Sequence, residues 1–150
     1  MEEGEFHKQM GRVAVAMTRS DNYCQYPVAC LAVWIKPAIL LEQIHYFYDE
    51  LGSLAGYMTW AFLAPDVECR LVNDPDVLFH ISEWNEGDRL WIMDFVVFKG
   101  NVRRYIKQAR ALFPGIQTVN WLRRDDEGLV KKIMKWNGRP PVRARAGAIT

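Results

Sequence analysis

A single carboxylate lies in the middle of a dense apolar stretch. Asp94 is the one charged residue in the run 90–97, whose other members are all apolar. The run shows no alternation of polar and apolar positions, so we predict a strand that is covered on both faces. A carboxylate in such a strand is either paired or carries a raised pKa. Asp94 is therefore a structural partner in an ion pair or hydrogen bond, or an acid with a catalytic or orienting function.

A second candidate site follows directly, at the start of a predicted helix. Lys99, Gly100 and Asn101 separate the apolar strand from the helix, and Arg103 and Arg104 follow. Free N–H groups and the positive end of the helix dipole can hold a phosphate, and glycine lets a ligand approach the backbone. The alternative is a plain loop, because glycine is common at junctions between strands and helices.

Other kinds of site are not indicated. The three histidines, His7, His45 and His80, are scattered without the spacing of a metal site. No Walker, dinucleotide-binding or Gly-x-Ser-x-Gly motif occurs. A net charge of +1 gives no general attraction to nucleic acid or to anionic membranes. We therefore predict no bound metal and no nucleic-acid partner.

Cysteine usage and hydropathy indicate the compartment. The three cysteines, Cys24, Cys30 and Cys69, are too few and too irregularly spaced for a disulfide framework, and they fit a reducing cytosol. The acidic start lacks the pattern of a signal peptide, and no apolar run approaches the roughly 20 residues of a membrane helix. We expect a cytoplasmic protein without a membrane span.

The chain before Asp94 predicts two helices, a hairpin and two further short helices. These elements cover residues 3–18, 28–35, 43–48 with 54–63, 64–71 and 76–84. Apolar residues at three- and four-residue spacing indicate the first helix, and Pro37 is expected to end the second. Aromatic and β-branched residues favour the hairpin, and a helix over 38–50 is the alternative. Asp76 is expected to cap the last short helix.

The chain from Asp94 onward predicts a crossover between two strands. Its elements are a strand at 89–98, a helix at 101–112, strands at 116–123 and 129–136 around a turn at 124–128, and a basic tail at 137–150. A strand, a helix and a second strand in this order form a candidate parallel crossover. We therefore predict an α+β fold with helices packed on a sheet, in one domain over residues 1–136.

Several short phrases spread over residues 8–123 occur together and in a fixed order. They are GRV at 11–13, YPV at 26–28, PAI at 37–39, AGY at 55–57, WA at 60–61, VND at 72–74, GDRLWIMD at 87–94 and LFP at 112–114. With these phrases the chain resembles the toxin-activating lysine acyltransferases, the hemolysin-activating protein C family.

The resemblance implies a fold, a reaction and partners. The fold is GNAT-like, with a mixed central sheet and helices packed on both faces. The reaction moves a fatty acyl group from acyl carrier protein to the ε-amine of lysines on an RTX protoxin, in the cytoplasm. No cofactor is bound permanently, and the acyl donor is the acyl-phosphopantetheine of acyl carrier protein, or acyl-CoA. The partners are that carrier protein and a protein or peptide acceptor, and a homodimer is left open.

The resemblance also assigns roles to residues. The family's catalytic aspartate falls on Asp94, its catalytic histidine on Tyr23, and a family asparagine on Trp34. An ordinary phenol has a pKa near 10, so Tyr23 is not a base at neutral pH. It can donate a proton to the leaving thiolate or orient the thioester. Asp94 with a raised pKa can accept the proton of the incoming ammonium.

Binding residues follow from the same resemblance. The substrate-binding candidates are Trp34, Trp60, Phe95 and Val96. The candidates for holding the phosphopantetheine donor are Lys99, Gly100, Asn101, Arg103 and Arg104. Carrier proteins are acidic, so Arg103, Arg104 and Lys107, with Arg123 and Arg124, are expected to dock one.

Tyr23 in place of histidine leaves other functions open. A catalytically impaired relative would bind acyl carrier protein or a target peptide without transfer. A third possibility is acyl transfer to a peptide made by ribosomes and later lipidated. The last alternative is an unrelated α+β binding module that has no catalytic activity.

Overall fold

A five-stranded mixed sheet forms the centre of the chain. The computed structural model describes residues 1–124 and 130–137. The strands are β1 (Ile44–Tyr48), β2 (Leu54–Leu63), β3 (Arg89–Val97), β4 (Thr118–Arg124) and β5 (Val130–Asn137). They lie side by side in chain order, and every neighbouring pair is antiparallel except β3 and β4, which are parallel. The parallel pair is the predicted crossover, which is confirmed.

Helical segments connect and cover the strands. They are α1 (Glu3–Thr18), a π-helical stretch (Leu31–Ile35) that continues into α2 (Lys36–Leu40), α3 (Pro65–Asn73), a 3₁₀ turn (Ile81–Trp84) and α4 (Val102–Ala111). Among the described helices, none is both long and apolar enough to cross a membrane.

The two faces of the sheet carry separate cores. On one face, Val13 and Ala16 of α1 and Ile39 of α2 pack with Tyr57 of β2 and Val96 of β3. On the other face, residues of α4 and the segment after it pack on the sheet; the cluster contains Phe47, Met58, Leu90, Tyr105, Ala109, Phe113 and Val119. The α+β class with a mixed sheet and helices on both faces is therefore confirmed, and it is consistent with a GNAT-like acyltransferase fold.

The parallel pairing of β3 with β4 has a short register among the described residues. Their register is given by one pair, Trp91 opposite Asn120, although β3 runs on to Val97 and β4 to Arg124. Asn120 also links the two strands through its side chain, because its amide donates to the carbonyl oxygen of Leu90 at 3.2 Å. Within residues 1–124 and 130–137, the half of β3 that carries Asp94 is registered with β2, and the registered pair with β4 lies earlier, at Trp91.

The second predicted helix has a different end from the one expected. Pro37 does not stop it, because the chain passes through the π-helical stretch and Pro37 then lies in the first turn of α2. The amide of Lys36 donates to the carbonyl of Leu31, five residues back. A proline in a first turn needs no amide hydrogen, so the helix continues to Leu40.

The predicted helix over 76–84 is also mostly wrong. Only Ile81–Trp84 is helical, and its cap is His80 instead of Asp76. The Asp74 side chain accepts from the amide of Asp76, which forms a local turn, and Glu83 accepts from the amide of His80. These local bonds compete with a helix start at residue 76.

The remaining predicted elements are found with small shifts of their ends. The helix at 3–18 and the hairpin strands are confirmed, and the alternative helix over 38–50 is wrong, since residues 44–48 pair with β2. The antiparallel pairing of β4 with β5 is present. The predicted turn at 124–128, beyond Arg124, and the tail at 137–150, beyond Asn137, lie outside the described residues.

Candidate active site

Two hydroxyl groups hold the carboxylate of Asp94. The Tyr23 hydroxyl donates to Oδ1 of Asp94 at 3.1 Å, and the Thr59 hydroxyl donates to Oδ2 at 2.8 Å. Tyr23 lies 71 residues before Asp94 in the chain, so the fold alone brings the pair together. The arrangement unites the two residues that the sequence had assigned to catalysis.

An irregularity in the sheet sets the direction of Asp94. Thr59 is opposite Asp94, but the next residue of β2, Trp60, is opposite Ile92, so Met93 is the extra residue of a β-bulge. A bulge shifts the side-chain alternation of its strand by one residue. Asp94 and Val96 consequently share the face that carries α1 and α2, where Tyr23 also lies.

Tyr23 reaches Asp94 from an otherwise exposed segment. Between residues 21 and 29, Tyr23 is the one residue that is not exposed. Its ring packs against that of Tyr26 with 4.9 Å between centroids, and the Tyr26 side chain remains 51% exposed. Tyr23 therefore links the half-buried Asp94 to the exposed segment 21–29.

Burial shapes the protonation of both groups. Burial raises the pKa of Asp94, and the hydrogen bonds from Thr59 and Tyr23 oppose that rise. Burial also raises the pKa of Tyr23 well above its ordinary value, and the neighbouring Asp94 raises it further. Tyr23 therefore remains a protonated donor at physiological pH, and Asp94 is the proton acceptor of the pair.

Sequence reasoning did not select two hydroxyl residues of this site. Thr59 is fully buried, and its role depends on the register between β2 and β3. The sequence did contain one signal for Thr59. It is a polar residue in an otherwise apolar strand, next to the strand that carries Asp94. Tyr57, two positions earlier on the same face, is also fully buried beside the pair.

Comparison with known proteins then places the chain in a family. A family model described as the RTX toxin acyltransferase family matches residues 2–137. The chain belongs to the RTX toxin acyltransferase family. It is thus an acyltransferase by family, as the sequence predicted.

Individual relatives of this family are moderately similar. The RTX-II toxin-activating lysine-acyltransferase of Actinobacillus pleuropneumoniae is 32% identical over 105 residues, which cover 70% of this chain and 64% of that protein. A protein-lysine myristoyltransferase of Escherichia coli is 27% identical over 129 residues, 86% of this chain and 74% of the relative. An uncharacterized protein of Synechocystis is 26% identical over 130 residues, 85% of this chain and 86% of its own length. The chain thus spans slightly less than two thirds of the first of these enzymes.

In this family member, the predicted substrate-binding residues lie in three places. Val96 is on the face of Asp94, directly opposite Tyr57. Trp60 and Phe95 belong to the core on the α4 face, where Trp60 meets the ring of Phe113 at 5.2 Å. Trp34 meets the rings of Phe79 and Trp84 at 5.5 and 6.1 Å, in a third apolar cluster. That cluster contains Ala61, two residues from Thr59 on β2, so Trp34 and Val96 lie on the Asp94 side of the sheet, whereas Trp60 and Phe95 lie on the other side.

The strand–helix junction is tightly held by its own contacts. Gly100 has φ of +85°, a conformation that favours glycine. Asn101 caps α4 by accepting from the amide of Arg103 at 3.0 Å. Lys99 pairs with Asp49 at 2.8 Å, and the Asp49 pKa is lowered, chiefly by that bond. One of the free amides at this helix start is therefore already occupied by protein.

Positive charge lies on the outer side of α4. Arg103, Lys107 and Arg110 are exposed there, and Arg104 pairs with Glu50 at 3.3 Å while also exposed. Val102 and Ile106 are 46% and 39% exposed between these charges. The outer side of α4 is therefore both cationic and apolar.

Among residues 1–124 and 130–137, no group of His, Cys, Asp and Glu side chains could hold a metal ion.

Proposed function

We propose that this protein transfers a fatty acyl group from acyl carrier protein to the ε-amine of a lysine on a protein or peptide acceptor, in the cytoplasm. The observation that carries the proposal is the Asp94 carboxylate held by the hydroxyls of Tyr23 and Thr59. Family membership supports acyl transfer as the reaction class. Names of relatives, lysine-acyltransferase and protein-lysine myristoyltransferase, support lysine as the acceptor group.

Asp94 acts as the proton acceptor of the reaction. A lysine arrives as an ammonium and must lose a proton before its nitrogen can attack the thioester carbon. A carboxylate with a raised pKa is a better proton acceptor than an ordinary one, and burial gives Asp94 that property. Asp94 takes this first proton. As the C–N bond forms and the C–S bond breaks, the nitrogen releases a second proton, which reaches the departing thiolate.

Tyr23 acts as a neutral donor beside the leaving group. Its raised pKa keeps the phenol protonated, so it can orient the thioester or supply a proton to the departing pantetheine thiolate. Direct transfer requires no covalent enzyme intermediate. The products are an amide on the acceptor and the free thiol of the carrier.

The donor approaches along the open side of β3. The registered pair of β3 with β4, Trp91 with Asn120, lies before Asp94, and an extended pantetheine arm would bind along β3 beyond that pair. The arm leads toward Gly100 and the start of α4. The cationic and apolar outer side of α4 complements an acidic carrier protein.

A binding protein without catalysis is the second candidate. The observation that favours it is Tyr23 where the family resemblance puts histidine, because a neutral phenol cannot serve as the base. Such a relative would still bind acylated carrier protein or the target peptide. Its signature is binding with no change in acceptor mass.

The direct test is incubation with acylated carrier protein and lysine-containing acceptors, read by intact mass. Donors of several chain lengths should be offered, together with an RTX protein fragment and short precursor peptides as acceptors. We expect the acceptor to gain the mass of one acyl group in the presence of wild type and not with Asp94→Asn. Binding without mass gain for every pair would instead support the second candidate.

The carrier-docking part of the proposal has its own variant. Arg103→Glu combined with Lys107→Glu reverses two exposed charges, whereas Lys8→Glu reverses one on α1, on the opposite face. We expect the first variant to raise KM for acylated carrier protein about tenfold with kcat unchanged, and Lys8→Glu to have little effect. Equal KM values for the two variants would exclude α4 as the docking surface.

A further inference from the structure

The Tyr57 side chain carries a buried hydroxyl that lacks a hydrogen-bond partner. Tyr57 is fully buried in β2, and its Oη atom has no donor or acceptor in the described part of the chain. Buried hydroxyls are normally paired, because an unpaired one loses its bonds to water and gains nothing. An exception in a native fold therefore calls for a physical explanation.

The position of Tyr57 points to the candidate site. Tyr57 is two residues from Thr59 on the same strand and face, and Thr59 already donates to Asp94. Its cross-strand neighbour is Val96, two residues from Asp94. Tyr57 thus stands beside the carboxylate, while the hydroxyls of Tyr23 and Thr59 are both committed to it.

The protonation of Tyr57 makes it a donor. Burial raises its pKa, and the nearby Asp94 and Tyr26 raise it further, so the hydroxyl is neutral throughout the physiological range. Asp94 accepts from two other hydroxyls, so the proton of Tyr57 is not committed to the carboxylate.

We propose that the Tyr57 hydroxyl donates a hydrogen bond to the thioester carbonyl oxygen of the acyl donor and to the oxyanion that forms from it. This inference rests on the proposed acyl transfer and adds a residue to it. The unpaired hydroxyl of Tyr57 thereby acquires, with bound substrate, the partner that it lacks in the free protein.

The step balances without further reactants. The lysine nitrogen attacks the carbonyl carbon, the C–N bond forms, and the π electron pair moves to the oxygen that faces Tyr57. The oxygen lone pair then restores the carbonyl as the C–S bond breaks and the thiolate leaves. Asp94 has taken the first proton of the ammonium before the attack, and the second nitrogen proton reaches the departing thiolate to give the free thiol. Tyr57 keeps its own proton throughout, as a hydrogen-bond donor to the oxyanion.

Tyr57 is fully buried, so the inference requires that Tyr23 move to admit the acyl group. The Tyr23 ring packs against the cluster that contains Tyr57, and residues on either side of Tyr23 are exposed. A shift of this ring would break the 3.1 Å bond to Asp94. The acyl carbonyl can then approach Tyr57 from the side on which the exposed segment lies.

The test is Tyr57→Phe, which removes the hydroxyl and keeps the ring. We expect kcat to fall about 100-fold with KM changed less than about twofold, as for loss of one oxyanion donor. The melting temperature should stay the same or rise, because the variant removes an unpaired buried hydroxyl. A merely structural role would lower the melting temperature and leave the kcat of the folded protein unchanged.

Tyr46→Phe is the matched control. The Tyr46 hydroxyl donates to Gln9 at 3.0 Å, so this variant also removes one tyrosine hydroxyl from the same face, and that hydroxyl is not bonded to Asp94. We expect its kcat to equal that of wild type. If Tyr57→Phe retains wild-type kcat while wild type transfers acyl groups, this inference alone is overturned.

A spectroscopic readout separates the inference from the activity. An acyl pantetheine labelled with ¹³C at the carbonyl should show a lower carbonyl stretching frequency when bound to wild type than when bound to Tyr57→Phe. Equal frequencies in the two proteins would overturn the inference even if the kcat of Tyr57→Phe falls. If wild type neither binds nor transfers the acyl group, the proposed function is wrong and the inference is overturned with it.

Discussion

The two faces of β2 and β3 are built from adjacent residues but have opposite characters. On the α4 face, Met58 and Phe95 enter a cluster of apolar and aromatic side chains. On the α1 and α2 face, Tyr57, Thr59 and Asp94 place hydroxyls and a carboxylate beside Tyr23. The same backbone therefore supports a plain core on one side and a polar cluster on the other.

The comparison shows what each face contributes. An apolar face stabilises the sheet through packing, whereas buried polar groups cost stability unless each one has a partner. The α1 and α2 face has an acid with a raised pKa and a tyrosine hydroxyl without a partner. Such groups are typical of functional sites, where binding and chemistry outweigh stability. Substitutions on the two faces should accordingly affect different quantities.

Asp94→Asn should give the largest effect, on activity. We expect kcat to fall about 10²- to 10⁴-fold, the usual contribution of a general base. Stability should not fall. The pKa of Asp94 is higher in the folded protein than in the unfolded chain, where it has its ordinary value. The unfolding free energy of wild type therefore falls as the pH rises from the unfolded pKa to the folded pKa. Asparagine lacks this penalty, and urea unfolding at acidic and neutral pH should show the variant gaining on wild type as pH rises.

Met58→Ala should give the next effect, on stability. Met58 lies between Tyr57 and Thr59 in the sequence but is buried on the α4 face. We expect the unfolding free energy to fall by about 2–5 kcal/mol because a cavity replaces the side chain. The kcat of the folded fraction should be unchanged. Met58→Leu, which keeps the volume, is the control, and a large fall in kcat for either variant would contradict the division between the faces.

Part of this division was predictable from the sequence. The acid in an apolar strand, the hairpin before it, and the strand, helix and strand of the crossover all follow from local patterns. The association of Asp94 with Tyr23 came from resemblance alone, because no local rule connects residues 71 positions apart. Thr59 escaped notice because its partner depends on the register of two strands.

Two local irregularities could not be predicted from the periodicity of the sequence. The bulge at Met93 adds one residue to β3 and moves Asp94 onto the α1 and α2 face, yet it leaves no mark in the composition. The π-helical stretch before Pro37 changes one hydrogen-bond spacing and so lets the helix continue. Each depends on packing with distant elements, and both adjoin segments that form the site.

Tyr23→Phe tests the donor that approaches from the exposed segment. We expect kcat to fall about tenfold or more, since one hydrogen bond to a charged group is worth about 1.5–3 kcal/mol. The ring remains, so packing against Tyr26 should persist and the melting temperature should change little. Steady-state rates read by acceptor mass would measure the effect. Full activity of the variant would remove the phenol from the mechanism and leave Tyr23 as a cover over Asp94.

Thr59→Val should give the smallest and most specific effect, a displaced pH profile. The Thr59 hydroxyl lowers the pKa of Asp94 against the rise that burial causes. Valine has a similar shape and no hydroxyl, so the pKa of Asp94 should rise further. The base must be ionised to act; the acid limb of kcat/KM should therefore move to higher pH, while the rate well above that limb changes little. Met58→Leu, from the opposite face of the same strand, should leave the limb in place. A limb that stays fixed in Thr59→Val would mean that this hydroxyl does not tune Asp94, and the polar character of the face would then have a structural cause.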